Sequence, residues 1–225
     1  FDVVSVPGSV HADRLARVGV PDDRIALLTN PIDSDTYRPP GPAVDTAYEF
    51  VWIGRFSPEK DPCRFVAALA ELAAAGRDFR AVMVGDGPLR SAVADEIAAR
   101  GLTARVDLPG WVDDPLQYYH RSAVFVLTSS RDALPLVMLE AMATRLVPIV
   151  PPVGSIPDVV SDGENGIVVP DRDPATFAAA MDRCLDDPDF RRSLAANATA
   201  VRTDCSLDQA REDWRRILIL LDRTT

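Results

Sequence analysis

Two cations and two carboxylates stand where chemistry could be done. Arg55 and Lys60 fall in the loop Arg55-Phe56-Ser57-Pro58-Glu59-Lys60-Asp61-Pro62, directly after the apolar run Phe50–Gly54. Proline cannot sit deep in a helix, so Pro62 reads as a first helical residue with Asp61 as its cap. Lys60 then lies just outside a helix N-terminus, where the dipole makes a cation unfavourable by about 0.3–1 kcal/mol. Two cations there make sense if an anion such as a diphosphate is to sit beside them; otherwise both are solvated loop charges. Glu140 is the only charge between Ala133 and Thr144. A helix apolar on nearly every side is a buried helix, and an unpaired buried carboxylate is costly. Glu140 must therefore face a polar cleft or a fixed partner. Asp132 precedes it by eight residues, a gap of roughly 12 Å if fully helical. That span is comparable to the separation of the two sugar rings in a nucleotide diphosphosugar. The backbone through Ala133, Leu134, Pro135 and Leu136 opens the helix, where free amides can receive phosphate or hydroxyl oxygens.

These groups need a rigid frame, and the rest of the chain supplies one. Apolar or β-branched runs occur at Val3–Val6, Ile25–Thr29, Phe50–Gly54, Ala81–Gly85, Val106–Leu108, Ala123–Thr128, Val147–Val150 and Gly166–Val169. Helical patterns separate them at Pro62–Ala75, Pro88–Arg100, Pro115–Arg121, Pro135–Thr144, Pro174–Leu185 and Phe190–Val201, with Leu207–Leu221 last. Strands apolar throughout, alternating with helices, read as a parallel sheet covered on both faces. Ligands in such sheets bind beyond the carboxyl ends of the strands, where Arg55, Lys60 and Asp132 fall. Gly85-Asp86-Gly87-Pro88-Leu89-Arg90 imitates a dinucleotide fingerprint but carries Arg90 at the third glycine, so these glycines read as a tight turn and a close backbone approach. Arg38-Pro39-Pro40-Gly41-Pro42 reads as a stiff linker between a front piece and the main body.

Composition narrows the field. Asp and Glu number 34 against 24 Lys and Arg, a net charge of −10, which argues against nucleic acid and anionic membrane as bulk partners. No run approaches the roughly 18 apolar residues of a transmembrane segment. The chain opens on Phe1 without a basic stretch followed by an apolar one, so no secretory signal is expected. Its start without Met suggests a protein processed or cut from something longer. Cys63, Cys184 and Cys205 are far apart and form no CxxC, and they read as small hydrophobes in a reducing cytosol, which makes a cytoplasmic location the expectation. The two histidines, His11 and His120, have no metal-site spacing.

Several stretches together resemble a family. Gly54-Arg55-Phe56-Ser57-Pro58-Glu59-Lys60, Val84-Gly85-Asp86-Gly87-Pro88-Leu89 and the Asp132…Glu140-Ala141-Met142-Ala143 block are similar to the donor half of GT-B, GT4-type retaining glycosyltransferases. Val153-Gly154-Ser155-Ile156-Pro157-Asp158-Val159-Val160 and Asp162-Gly163-Glu164-Asn165-Gly166 continue the match in order. Asn30-Pro31-Ile32-Asp33 and Tyr37-Arg38-Pro39 resemble the crossover into that half. The resemblance implies a Rossmann-like, doubly wound parallel α/β sheet that binds a UDP-, GDP- or ADP-linked sugar and transfers the hexose. It implies that Gly54, Arg55 and Lys60 hold the diphosphate, with Arg55, Lys60 and Asp132 the catalytic set. Glu140 would accept the ribose hydroxyls, Asp132 the hydroxyls of the transferred sugar, and the backbone at Gly110, Trp111 and Val112 would line the base pocket. It implies no obligatory metal or other cofactor. Residues 1–40 would be an interdomain segment, 41–205 the nucleotide-sugar domain and 206–225 a C-terminal helix, with the acceptor-binding half absent and the isolated domain inactive.

The chain departs from the family pattern at five places. Asp132 stands for glutamate at the head of the EX7E motif, Ala133 for the glycine after it, Arg145 for a small residue, and Ser155 and Asp158 for glycine and glutamate. Two other readings therefore stand beside the transferase: a non-catalytic nucleotide-sugar-binding module with a retired site, and a sugar-nucleotide epimerase on the same fold.

Overall fold

A computed structural model describes residues 2–41 and 44–223; Pro42 of the expected linker lies outside the described residues. The front piece is a small parallel βαβ unit: β1 (Val4–Val6), α1 (Ser9–Arg17) and β2 (Ile25–Leu27), with Val4 opposite Ile25. The body follows with β3 (Tyr48–Ile53), α2 (Pro62–Ala74), β4 (Ala81–Val84), α3 (Arg90–Ala99), β5 (Val106–Gly110), α4 (Leu116–His120) and β6 (Ser122–Val126). It continues through α5 (Leu136–Ala143), β7 (Val147–Val150), β8 (Ile167–Val168), α6 (Pro174–Asp186), α7 (Pro188–Ala198), α8 (Val201–Asp204) and α9 (Leu207–Arg223).

The six body strands form one parallel sheet in the order β5-β4-β3-β6-β7-β8. The unbroken apolar character of β3 has a direct cause, since successive side chains point to opposite faces and both faces are covered. Phe50 and Trp52 pack on one side with Phe65 and Leu69 of α2 and Phe177 of α6. Val51 and Ile53 pack on the other with Tyr119 of α4 and Met138 and Leu139 of α5. Chain order reverses at β3, which has β4 on one side and β6 on the other. Loops leaving β3 and β6 at their carboxyl ends therefore diverge and open a crevice.

The expected prolines Pro62 and Pro174 open α2 and α6, and the others stand before their helices. Asp173 caps α6 through its side chain, which accepts from the Ala175 amide, and Pro174 is the first helical residue. Pro188 likewise begins α7, whose Asp187 cap accepts from Phe190. By contrast α3 starts at Arg90, α4 at Leu116 and α5 at Leu136, so Pro88, Pro115 and Pro135 stand before their helices. A φ near −65° suits a turn or an N-cap as well as a first turn. The expected single helix Phe190–Val201 is divided into α7 and α8.

The front piece is tied to the body at several points besides the chain itself, among them three close to the crossover. Ile32 bridges to Ser206, Thr29 donates its amide to Asp213 of α9 at 3.1 Å, and the Asn30 amide donates to the Leu134 carbonyl at 2.8 Å.

Candidate functional site

Two loops at the switch point carry the expected cation and carboxylate. After β3 the chain runs through Gly54 and Arg55 into a tight loop, and after β6 it runs through Thr128 to Asp132. The two loops are stitched together by backbone and hydroxyl contacts. Ser130 donates its amide to the Glu59 carbonyl at 2.8 Å. The fully buried Thr128 hydroxyl lies 2.9 Å from the Asp61 carbonyl and 3.1 Å from that of Lys60, and it accepts from the Trp52 indole N–H at 3.1 Å. That framework brings Lys60 Nζ within 2.5 Å of Asp132 Oδ2, although the residues are 72 apart in sequence. Ser129 also approaches Asp132 Oδ2 at 3.2 Å, and the Ala133 amide turns to Asp132 Oδ1 at 3.2 Å.

Asp61 does not cap α2 as expected. It adopts a left-handed conformation with φ 49°, and its carboxylate instead pairs with Arg64 at 2.7 Å and Arg172 at 2.9 Å. Arg172 is itself left-handed with φ 56° and donates to the Thr128 carbonyl at 3.2 Å. Non-glycine residues in that region cost about 1–3 kcal/mol each and persist only where surroundings hold them. Here the Asp61–Arg172 pair holds the backbone immediately after Lys60.

Glycine is required where these loops meet their neighbours. A Cβ on Gly85, whose φ is +133°, would lie 1.9 Å from the Gly54 carbonyl oxygen. One on Gly154, with φ +56°, would lie 2.1 Å from the Asp132 carbonyl oxygen. The close approach expected of the Gly85 turn is thus present, and Gly154 adds a second against the Asp132 loop. The Ser155 amide donates to the Ala133 carbonyl at 2.7 Å, and Ser155 Oγ meets His11 Nδ1 of α1 at 3.2 Å. Ser9 at the start of α1 donates its hydroxyl to Asp158 at 2.5 Å.

Beside the crevice, over the ends of β3, β4 and β5, lies a cavity of about 370 Å³. Tyr37, Gly54, Arg55, Gly85, Trp111, Val112, Asp113, Val137 and Glu140 are among its lining residues. Gly54, Arg55, Trp111, Val112 and Glu140 of the expected set therefore meet in one place. Gly110 adjoins it, with its carbonyl accepting from the Gly85 amide at 2.8 Å. Lys60, Asp132, Ala133, Leu134, Pro135 and Leu136 are outside that lining. Helix α5 begins only at Leu136, so the eight-residue spacing from Asp132 to Glu140 is not helical throughout. Just before α5, Leu134 is buried and its carbonyl accepts from the Asn30 side chain.

Glu140 has both the cleft and the fixed partner that its surroundings demand. Tyr119, buried in α4, donates to Glu140 Oε2 at 2.9 Å and lies 3.1 Å from the Val137 carbonyl. Tyr37, from the front segment, lines the same cavity and meets the Tyr119 ring edge to face. Burial raises the Glu140 carboxyl above its usual value, and the two phenols offset part of that rise. Burial and the Glu140 charge push the Tyr37 phenol up to about 12 and that of Tyr119 well above 10, so both remain donors. Trp111 is 75% exposed, which excludes a role as a core tryptophan and leaves its ring at the cavity rim. Sequence reasoning passed over Tyr37, Tyr119 and Asp113. A signal existed for Tyr119, since a tyrosine on the buried face of a short helix must find a partner for its hydroxyl.

Residues 33–201 match the family of glycosyl transferases group 1. The chain belongs to that family. Its parallel six-stranded sheet matches one half of the GT-B glycosyltransferase fold. Over 150 residues this group 1 chain is 35% identical to alpha-D-kanosaminyltransferase of Streptomyces kanamyceticus, covering 66% of this chain and 39% of that protein. Among solved structures, Anabaena HepE in complex with UDP superposes with a TM-score of 0.86 at 19% identity, over 96% of this chain and 63% of that one. The C-terminal domain of a group 1 protein, LpcC of Francisella tularensis, superposes with a TM-score of 0.70 at 22% identity, over 78% of this chain and 99% of that one. The chain spans 39% to 60% of the first curated relatives it matches.

Proposed function

We propose that this group 1 chain is the donor-binding domain of a retaining, GT4-type hexosyltransferase that takes a nucleotide diphosphosugar. The observation that carries the reading is the meeting of Arg55, Trp111 and Glu140 around one cavity, beside the Lys60–Asp132 pair at the switch point. Glu140 receives the ribose hydroxyls, and the Gly110–Val112 stretch borders the base. Gly54, Arg55 and Lys60 take the diphosphate, together with the backbone from Ala133 to Leu136. Asp132 accepts from hydroxyls of the transferred hexose, which requires it to share its carboxylate with Lys60. In the transfer, the bond from the sugar's anomeric carbon to the diphosphate oxygen breaks while the acceptor hydroxyl oxygen bonds to that carbon on the same face. The hydroxyl proton passes to the departing phosphate, and the cations stabilise the charge developing there. Residues 1–40 lead from an acceptor-binding half, 41–205 hold the donor and 206–225 form the closing helix. Without the acceptor half the domain alone does not transfer sugar, because closure around the reacting atoms is missing. The free cysteines fit a reducing, cytoplasmic setting.

Calorimetric titration with UDP, GDP and ADP tests the reading. One nucleotide should bind selectively, and Glu140→Ala should weaken it by about 1–3 kcal/mol through lost charge-assisted hydrogen bonds. Unchanged affinity in the variant would remove Glu140 from the site. One observation favours a second reading, a non-catalytic nucleotide-sugar module: the 2.5 Å Lys60–Asp132 pair satisfies each group with the other. Sugar transfer, or donor hydrolysis, by the full-length protein separates the two, and an epimerised donor among the products would indicate the epimerase.

A further inference from the structure

Tyr37 belongs to the front segment, precedes the first strand of the body by eleven residues, and yet lines the same cavity as Glu140. Its ring meets that of Tyr119 edge to face, with centroids 6.1 Å apart and planes at 73°. Tyr119 of α4 thus donates to the Glu140 carboxylate at 2.9 Å, and Tyr37, on the crossover coil, is packed on the Tyr119 ring in the same cavity, within reach of that carboxylate. A carboxylate has two oxygens and about four lone-pair directions, so two phenol donors leave acceptor capacity for a ligand diol. They also restrict how the carboxylate can turn, because each donor prefers a near-linear approach.

We propose that Tyr37 is a positioning residue: with Tyr119 it clamps the Glu140 carboxylate in the orientation that presents its remaining acceptor sites to the two ribose hydroxyls of a nucleoside diphosphate. The inference rests on the proposed function for the ligand, but the clamp itself is a property of the free protein. The other ionisable groups facing Glu140 are Arg55 and Asp113 across the cavity, while Asp33 and Asp114 act on Tyr37 from further out. Burial drives Glu140 toward its protonated form, in which one oxygen becomes a donor and a ribose diol loses an acceptor. Tyr37 opposes that change, so its hydroxyl should matter most in mildly acid solution.

Tyr37→Phe keeps the ring and its edge-to-face contact and removes only the hydroxyl. The first readout is the titration of Glu140 in ligand-free protein, followed by carbon-13 NMR of labelled glutamate and assigned by the signal lost in Glu140→Gln. Tyr37→Phe and Tyr119→Phe should each raise the midpoint, by about one pH unit for loss of one charge-assisted bond. A rise in Tyr119→Phe alone, or in neither, overturns the clamp. The second readout is nucleotide affinity in wild type and Tyr37→Phe at pH 5.5 and 8. The variant should lose up to about tenfold more affinity at the lower pH, the factor that corresponds to one unit of midpoint shift. A loss of equal size at both values is what packing alone would give, and it overturns the positioning role. If wild type binds none of UDP, GDP and ADP, the proposed function fails and the ribose role with it, and the NMR titration still decides the clamp.

Discussion

Thr128→Val should unfold the loop framework's best-defined joint without changing its volume. The Thr128 hydroxyl is fully buried, accepts from the Trp52 indole at 3.1 Å and faces two carbonyls at 2.9 and 3.1 Å. Its single proton serves one carbonyl at a time, so valine abolishes two hydrogen bonds and not three. The indole N–H, on a side chain only 1% exposed, then has no partner, at a cost of about 1–3 kcal/mol. A released carbonyl adds a fraction of that, and the extra apolar methyl returns about 0.8 kcal/mol. The net loss is about 2 kcal/mol, or roughly 4–8 °C in Tm for a domain of this size. Thr128→Ser is the control, since it keeps the hydroxyl and loses a buried methyl for about 1 kcal/mol. Urea or thermal unfolding should therefore rank wild type above Thr128→Ser and Thr128→Ser above Thr128→Val. If valine proves as stable as serine or better, the hydroxyl is not the joint that holds these loops.

Other outcomes follow from single residues. Arg145 closes α5 with φ +73°, so Arg145→Gly should stabilise the chain by about 1 kcal/mol in denaturant unfolding. Gly85→Ala should abolish nucleotide binding before it abolishes folding, because its Cβ would collide with the Gly54 carbonyl at the cavity wall; calorimetry paired with circular dichroism reads both. Burial pushes the Asp213 carboxyl up, but hydrogen bonds from Thr29 and Gln209, with Arg216 nearby, bring it below its usual value of 3.8. A depressed folded value means stability present above pH 3.8 and lost as pH falls through the lower folded value. Acid unfolding should accordingly be steeper in wild type than in Asp213→Asn. Arg172→Ala should loosen the Asp61 backbone and weaken diphosphate binding, with a smaller effect on binding of the free nucleoside.

The sheet was legible because β3, β4 and β7 are buried on both faces, which leaves an apolar run that no surface element imitates. Lys60 and Glu140 were legible for a related reason: a cation beside a helix start and a carboxylate within an apolar helix are each unfavourable without a partner. The partners themselves were not. Lys60 meets Asp132 across 72 residues, and Tyr37 meets the Tyr119 ring from the front segment, so no local pattern records either contact. Asp61 was misread because capping and a left-handed turn favour the same residue type, and only the distant Arg172 decides between them. Pro88, Pro115 and Pro135 were misplaced by one or two residues because their fixed φ fits either side of a helix boundary.

The bridges at residues 29–32 have a mechanical consequence. The front piece meets the body where its outgoing chain at Ile32 runs beside Ser206, and again at its far end, where Ser9 and His11 of α1 reach Asp158 and Ser155. A piece held at two separated places resists swinging about the line through either one. Any swing must also strain the Asn30 tether to the Leu134 carbonyl, which lies two residues beyond Asp132. The angle of the front piece is thereby geared to the stretch that opens α5, and a tilt at one end becomes a displacement at the other.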